Sequence, residues 1–308
     1  MSHDPVAALG FDELVPPQTV NRRSAREVFV TDHARLGAHE FAIAVRIAHD
    51  HPLWSDQQAP WHDPVAMVEA FRQAFVVVRH EYLDVRRGTP SAVQQVSLAV
   101  PGLGAFRADG TSPLRGVIKV RVTERDGTFD IAGDFLVGRE PAMTLSFGSI
   151  LFPRESYREI RSYQRARRAG DVGAAGDVKP VDPELVGRRD PANVVIGPAV
   201  RPDRYPLVVD RSHPSFFDRD YDHIPASLLI EAMRQSALHS AARSGLRTGE
   251  AALTRAELDF GIFVEIDVPA ECVVAVSGGP DALTASVGID QAGVRVASGT
   301  LELTGLHP

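Results

Sequence analysis

The chain of 308 residues has a single cysteine, Cys272, so no disulfide can form within it. Its net charge of −7 provides no general basic surface for a phosphate backbone, and we expect no nucleic-acid partner. No apolar run approaches the roughly 20 residues that a membrane-spanning helix needs. The first residues also lack the basic and apolar regions of a signal peptide. These absences predict a cytoplasmic protein with no membrane contact.

Several common kinds of site are missing as well. The histidines lack the paired spacing of zinc ligands. No glycine-rich loop follows a strand, and there is no Gly-x-Ser-x-Gly turn. Cys272 lies in a strand-like run, where a buried structural thiol is more common than a nucleophile. We therefore predict neither a metal nor a cofactor.

One pattern of polar residues occurs twice, 162 positions apart. The first copy comprises His51, Asp56, Glu69, Arg72 and Gln73, and the second comprises His213, Asp218, Glu231, Arg234 and Gln235. Seven of the 23 aligned positions from His to Gln are identical, and the alignment needs no gap. Such identity predicts a tandem duplication.

The pattern of elements predicts an α+β fold in both copies. Each copy has short strand-like runs, one long helix (63–87 or 225–244) and then four further strand-like runs. Strands are also predicted at Val28–Val30 and Val194–Ile196, and an arginine-rich helix at Arg154–Arg168. The predicted organisation is a flexible lead-in over 1–20, repeat 1 over 21–152, a helix and linker over 153–188, and repeat 2 over 189–308.

Both long helices place a glutamate and an arginine three residues apart in an apolar setting. Burying such a pair costs free energy unless it is hydrogen-bonded, so its recurrence suggests a function. A buried carboxylate with a raised pKa would suit a general base, which makes Glu69 and Glu231 catalytic candidates. Arg72 and Arg234 could bind a phosphate or stabilise an oxyanion. A purely structural ion pair in each helix is the alternative.

Two histidines flank the loop that leads into the second helix. His213 is a candidate for substrate binding or for an acid or base, although a His-Pro pair can also simply fix a loop. His223 is a candidate acid or base. The first copy has Trp61 at the position of His223, so only the second copy has both histidines. Asp222 is expected either to cap the helix or to orient a substrate.

Three segments resemble the A-factor biosynthesis proteins of actinomycetes. They are residues 213–235, 63–73 and 23–36, and the similarity extends over roughly residues 17–303. The resemblance implies a tandem double hotdog fold, in which each repeat has a long central helix wrapped by a curled antiparallel sheet. We expect either a monomeric double hotdog or a homodimer.

The resemblance also implies an activity. The family transfers a β-ketoacyl group from an acyl-carrier-protein thioester to dihydroxyacetone phosphate, on the way to γ-butyrolactone or furan signalling molecules. The expected partners are therefore an acyl carrier protein and dihydroxyacetone phosphate. The resemblance further implies catalytic roles for Glu69 and Arg234.

Two other functions remain open. The first is a hotdog dehydratase or thioesterase. A typical dehydratase of this fold has its histidine about 14 residues before the helix acid, where this chain has Ser55 and Phe217. The second is a non-catalytic protein that binds an acyl ligand.

Overall fold

The computed structural model describes residues 5–168, 178–279 and 281–305. The chain divides into two compact units. Unit 1 comprises Met1–Ser55 and Pro60–Pro153, and unit 2 comprises Asp56–Ala59 and Arg154–Pro308. Most of the predicted linker, residues 169–177, lies outside the described residues.

Unit 1 is a six-stranded antiparallel sheet with one long helix. Its elements are β1 (Val30–Arg35), β2 (Glu40–Ile47), α1 (Ala66–Glu81), β3 (Ser91–Ala99), β4 (Leu114–Arg125), β5 (Thr128–Val137) and β6 (Glu140–Leu151). The strands are ordered β1-β2-β4-β5-β6-β3. The ring of Phe71 on α1 lies so close to Gly133 on β5 that a Cβ there would collide with it. The helix is thus packed directly onto the sheet.

Unit 2 repeats this arrangement with five strands. Its elements are α2 (Arg154–Arg168), β7 (Arg204–Pro206), α3 (Ala226–Ala242), β8 (Ala251–Phe260), β9 (Ala270–Gly278), β10 (Ala282–Gln291) and β11 (Val294–Gly305). The strands are ordered β8-β11-β10-β9-β7, and α3 packs against β9 and β10.

The helices differ from their predicted bounds mainly at one end. α1 ends at Glu81, six residues before the predicted end at 87, because the chain turns at Asp84, which adopts a positive φ of 53°. The predicted cap Asp63 lies in the turn before the helix, where its side chain accepts a hydrogen bond from the Val65 amide, and the N-cap residue itself is Val65. α2 has the predicted bounds.

The predicted strands at Val28–Val30 and Val194–Ile196 are wrong for most of their length. In each copy a glutamine of the central helix accepts the amide hydrogen that a strand partner would otherwise receive. Phe29 donates to Gln73 Oε1 and Val195 donates to Gln235 Oε1, both at 2.9 Å. As a result β1 begins only at Val30, and Ile196 forms just an isolated bridge.

The lead-in over residues 1–20 is predicted to be flexible. Residues 5–20, which the structure describes, are instead anchored. The Gly10 amide donates to the Asp32 carboxylate at 3.0 Å, and the Val15 amide donates to the Val30 carbonyl at 3.0 Å. Pro17–Val20 forms a short 3-10 helix with Val20 buried. Hydrogen bonds to β1 therefore hold this segment in place.

Candidate functional site

In unit 1, donor side chains enclose the carboxylate of Glu69 on α1. Arg22 contacts Oε1 through Nε at 3.1 Å and Nη2 at 2.8 Å. Arg72 contacts Oε2 through Nε at 2.7 Å and Oε1 through Nη2 at 2.8 Å. Gln73 donates to Oε1 from Nε2 at 2.7 Å. Both carboxylate oxygens are therefore engaged by charge-assisted or amide hydrogen bonds.

Unit 2 contains the same arrangement around Glu231 on α3. Arg188 contacts Oε1 through Nε at 3.0 Å and Nη2 at 2.9 Å. Arg234 contacts Oε2 through Nε at 2.9 Å and Oε1 through Nη2 at 2.6 Å. Gln235 donates to Oε1 at 2.6 Å. We call the two groups the Glu69 cluster (Arg22, Glu69, Arg72, Gln73) and the Glu231 cluster (Arg188, Glu231, Arg234, Gln235).

Arg22 and Arg188 were not identified from the sequence. They are 166 positions apart (188 minus 22), so a comparison at an offset of 162 does not align them. At an offset of 166 the segments 17–30 and 183–196 do align, since each begins with a 3-10 helix of four residues, then one residue in the left-handed conformation, then Arg-Arg. Ser24 and Asp190 then cap a second short 3-10 helix in each copy. A sequence comparison that allowed this four-residue shift between the repeats could have identified the two arginines.

The environment of the two glutamates reverses an expectation from the sequence. Burial alone would raise the pKa of Glu69, but Arg22 and Arg72 outweigh burial and lower the pKa to about 2. Arg188 and Arg234 likewise lower the pKa of Glu231 to about 2. The predicted raised pKa is wrong because each carboxylate has two cationic neighbours. Both glutamates are ionised at neutral pH and are poor proton acceptors.

The two clusters differ in how far they are open to solvent. Between Ala66 and Arg79, Arg72 is the one residue that is not buried, and 25% of its side chain is exposed. Arg234 occupies the same position in α3 and has 5% of its side chain exposed. Arg188 is completely buried. The Glu69 cluster therefore presents an arginine to solvent, whereas the Glu231 cluster is almost sealed.

His213 occupies a structural position that His51 shares. His213 Nδ1 accepts hydrogen bonds from the amides of Ser215 and Phe216, and its Nε2 lies 3.0 Å from Asn193 Oδ1. His51 accepts from two loop amides in the same way and faces Glu27 across 3.5 Å. Both ring nitrogens of His213 are thus engaged within the protein. This geometry favours the loop-fixing role over the predicted substrate binding.

A second polar group in unit 2 joins helix α2 to the loop before α3. We call it the Asp222 cluster (Tyr157, Arg161, Asp222, His223 and Glu265). His223 Nδ1 lies 2.7 Å from Asp222 Oδ1, and the Tyr157 hydroxyl donates to the same oxygen at 2.9 Å. Arg161 donates to Asp222 Oδ2 at 3.0 Å and forms a bidentate pair with Glu265 at 2.7 and 2.8 Å. The structure thus brings together the predicted residues Asp222 and His223.

Asp222 is less suited to substrate binding than the sequence suggested. Its Oδ1 accepts from His223 and Tyr157, and its Oδ2 accepts from Arg161. Partial burial alone would raise the pKa of Asp222, but these hydrogen bonds hold it well below its usual range. Asp222 is therefore an ionised acceptor that organises its neighbours. Tyr157, Arg161 and Glu265 were not identified from the sequence. For the two residues on α2, the reason is that the arginine-rich run also fits a solvated helix face.

Other classes of site find no support in the part of the chain that the structure describes. Over residues 5–168, 178–279 and 281–305, no three His, Cys, Asp or Glu side chains are placed to hold a metal ion. Among the same residues, no helix is long and apolar enough to span a membrane. Burial raises the pKa of the Cys272 thiol to about 12, so this cysteine is not a reactive thiolate.

Comparisons with known proteins agree with this architecture. The sequence model of the A-factor biosynthesis hotdog domain matches residues 3–132 and 171–306. A 2-oxo-3-(phosphooxy)propyl 3-oxoalkanoate synthase of Streptomyces griseus subsp. griseus is 28% identical over an alignment of 269 residues that covers 80% of this chain and 80% of that protein. A synthase of the same name from Streptomyces coelicolor is 27% identical over 242 residues, covering 72% of this chain and 71% of that protein.

A solved structure supports the fold independently. The 12:0-ACP thioesterase from Umbellularia californica aligns with a TM-score of 0.51 and 12% sequence identity, covering 89% of this chain and 100% of that chain. At this level of identity the similarity concerns the fold alone. Together with the two matched segments of the sequence model, it confirms the predicted tandem hotdog fold.

Proposed function

Because this chain belongs to the A-factor biosynthesis hotdog domain family, we propose that it joins a 3-oxoacyl group to the hydroxyl of dihydroxyacetone phosphate. The product would be a 2-oxo-3-(phosphooxy)propyl 3-oxoalkanoate, as in the names of its relatives. The observation that carries this proposal is the similarity to the Streptomyces griseus synthase over 80% of both chains. The product would enter the biosynthesis of γ-butyrolactone or furan signalling molecules.

The reaction is an acyl transfer. The acceptor hydroxyl attacks the thioester carbonyl carbon, a carbon–oxygen bond forms, and the carbon–sulfur bond breaks to release a thiol. No redox change occurs, so the residues need only bind the phosphate, stabilise the oxyanion and move one proton.

We assign the phosphate contact to Arg72. Its guanidinium is fixed by Glu69 through two hydrogen bonds, yet a quarter of the side chain remains exposed. A held and partly exposed guanidinium suits recognition of a phosphate. Glu69 would act by positioning Arg72 and Arg22, and not as the proton acceptor.

For Arg234 and Glu231, the family resemblance and the structure favour different roles. The family resemblance gives Arg234 a catalytic role, whereas its small exposed fraction favours a structural ion pair with Glu231. A catalytic Arg234 would stabilise the oxyanion, with Glu231 fixing its position. Matched substitutions of Arg72 and Arg234 would separate these roles.

We further propose that an acyl carrier protein delivers the acyl donor. Helix α2 supports this proposal with six arginines against two glutamates, and Arg154, Arg158 and Arg167 are exposed. Carrier-bound donor should therefore bind more weakly as salt is added, whereas a small pantetheine thioester should bind with little change. Arg158→Glu should raise the KM for the carrier-bound donor alone. Equal salt dependence for both donors would contradict this surface.

Product analysis tests the activity itself. Purified protein is incubated with a 3-oxoacyl thioester, with and without dihydroxyacetone phosphate, and thiol release and products are followed by mass spectrometry. We expect release of one thiol per ester formed, and only with the phosphate present. Dihydroxyacetone without phosphate is the matched control acceptor and should react poorly. Release of free acid without an acceptor would instead identify a thioesterase, and binding without turnover would identify a ligand-binding protein.

A further inference from the structure

We propose that His223 is the general base of unit 2 and that Asp222, Tyr157 and Arg161 position it. This inference rests on the proposed synthase activity, in which the acceptor hydroxyl must lose a proton. It gives the Asp222 cluster a catalytic purpose that neither glutamate cluster can serve. Both Glu69 and Glu231 hold their negative charge too strongly to accept a proton near neutral pH.

The hydrogen bonds of Asp222 determine which nitrogen of His223 carries the proton. Asp222 is ionised and can only accept, so the Nδ1 atom at 2.7 Å must be the protonated nitrogen. In the neutral ring, Nε2 then keeps its lone pair. No hydrogen bond to this Nε2 is found among the described residues, and 21% of the side chain is exposed. The nitrogen that would accept a proton is therefore the one not bound to Asp222.

Helix α2 holds Asp222 in place from the opposite side. Tyr157 donates its hydroxyl hydrogen to Oδ1, and burial together with this bond raises the pKa of Tyr157, which keeps the hydroxyl protonated. Arg161 donates to Oδ2 and to the Asp222 carbonyl at 2.6 Å, while Glu265 fixes the other edge of its guanidinium. Asp222 is thus constrained at its side chain and its backbone. Such support around a base keeps it in a productive orientation.

Aromatic rings limit the movement of the imidazole. The Phe263 ring lies 4.6 Å from the His223 ring, and the Tyr221 ring lies 6.3 Å away. Phe263 also contacts Tyr157 and the guanidinium of Arg161. The charged and titratable groups on or in contact with this cluster are Asp222, Glu265, Tyr157, Tyr221, Arg161 and Arg165. Among these groups, Asp222 is the one that contacts His223 Nδ1, at 2.7 Å, and so orients the imidazole.

Unit 1 has no equivalent of this pair. The positions aligned with Asp222 and His223 at the offset of 162 are Pro60 and Trp61. Trp61 is buried and its backbone forms an isolated bridge to Arg107. At these two aligned positions, unit 2 therefore has an Asp–His pair where unit 1 has Pro60 and Trp61.

The proposed step is balanced in atoms and electrons. His223 Nε2 takes the proton of the acceptor hydroxyl as its oxygen forms a bond to the thioester carbonyl carbon. When the carbon–sulfur bond breaks, the imidazolium returns that proton to the leaving thiolate. His223 ends the cycle neutral, and the products are an ester and a thiol.

Three variants test the proposal in the full-length protein. His223→Gln removes the base and should lower kcat by about 10²–10⁴-fold, with loss of the acidic limb of the pH–rate profile. Tyr157→Phe removes one donor from Asp222, which should then hold the imidazolium more strongly. We expect a smaller fall in kcat, an unchanged KM and an acidic limb moved to higher pH. Tyr163→Phe is the matched control on the same helix, because Tyr163 is 62% exposed and contacts Arg167 instead.

Several outcomes would contradict the roles proposed for His223 and Tyr157. His223→Gln with a kcat within threefold of wild type would overturn the proposal, as would a lower kcat with an unchanged acidic limb. If the profile of Tyr157→Phe matched that of Tyr163→Phe, Tyr157 would have no positioning role. Nitrogen-15 NMR of the imidazole, assigned by comparison with His223→Gln, should show the neutral ring protonated at Nδ1, and protonation at Nε2 would refute the pair. If wild type forms no ester, the synthase proposal fails, and the NMR result still decides whether the Asp222–His223 pair exists.

Discussion

Glu69 and Glu231 illustrate how two neighbouring cations change the chemistry of a buried acid. An isolated buried carboxylate would tend to be neutral at physiological pH. Here two arginines and a glutamine donate to each carboxylate, and the pKa of each is about 2. At the scale of single residues, the glutamates are therefore anchors for arginines, and proton transfer requires a different group.

Removing the charge of either glutamate should destabilise the protein strongly. Glu69→Gln and Glu231→Gln each leave two arginines without their counter-charge, and breaking a buried pair in this way typically costs about 3–5 kcal/mol. Glu231→Gln should cost more, because Arg188 and Arg234 are nearly enclosed. Urea unfolding followed by circular dichroism measures the change. The control is Glu81→Gln on α1, whose exposed pair with Arg87 should contribute less than about 1 kcal/mol.

The same two glutamates should make the free energy of unfolding depend on pH in the acidic range. Their pKa is lower in the folded protein than the ordinary value of 4.5, so their contribution is complete above about pH 4.5 and is lost as the pH falls towards 2. Each contributes about 3 kcal/mol over that range. Urea midpoints measured between pH 6 and pH 2.5 should therefore fall steeply, and less steeply in Glu69→Gln. An equally steep fall in that variant would contradict this origin, whereas Asp134→Asn, an exposed carboxylate, should leave the slope unchanged.

At the scale of elements, the sequence predicts the long elements well and the short ones poorly. Periodicity and capping residues located α2, α3 and most strands, because these signals act within the element itself. The 3-10 segments around Arg22 and Arg188 have no such period, and Val194–Ile196 has the composition of a strand. Its amide hydrogen is taken by Gln235, a residue about 40 positions later. Only the tertiary structure shows that competition.

The site could be predicted to a similar extent. The duplicated Glu–Arg spacing identified both helix pairs, since residues three apart share a helix face. It could not identify the second arginine of each cluster, nor the contact between α2 and Asp222. Those partners are brought together by folding over separations of 43 to 104 residues. The sign of the glutamate pKa shift depends on them, and for that reason the sequence alone suggested the wrong direction.

Helix α2 should depend on Arg161 for its attachment to unit 2. Arg161→Ala removes the bidentate contact to Glu265 and the bonds to Asp222, and leaves both carboxylates without that partner. We expect the amides of residues 154–168 to exchange hydrogen at least about tenfold faster, since local opening sets the exchange rate. Hydrogen-exchange mass spectrometry measures this directly. Arg158→Ala is the control, because Arg158 is exposed on the same helix. Equal exchange in the two variants would mean that other contacts hold α2.

At the scale of the whole molecule, both copies keep the buried glutamate cluster and differ in the groups around it. Both units retain a glutamate held by two arginines and a glutamine, with hydrogen-bond lengths that agree to within a few tenths of an ångström. The units differ where ligands could be reached. Unit 1 exposes Arg72, and unit 2 has the Asp222–His223 pair in place of Pro60 and Trp61. The shared cluster thus accounts for stability, and we propose that the differences between the units carry the function.

Replacing the matched arginines should show which copy binds the phosphate. Arg72→Lys keeps the charge but loses the two-pronged geometry, so we expect the KM for dihydroxyacetone phosphate to rise roughly 10-fold or more, as loss of a charged hydrogen bond predicts. Arg234→Lys makes the same change in an almost sealed position. We expect it to lower the urea midpoint and to change this KM by less than about threefold. A change that small would mean that no charged hydrogen bond to the substrate was lost. The KM for the thioester, measured in parallel, separates phosphate recognition from donor binding.

If the KM for dihydroxyacetone phosphate rose only in Arg234→Lys, the phosphate contact would be assigned to unit 2, in agreement with the role that the family resemblance gives Arg234. In that case the exposed fraction of Arg72 would reflect only the edge of a structural ion pair.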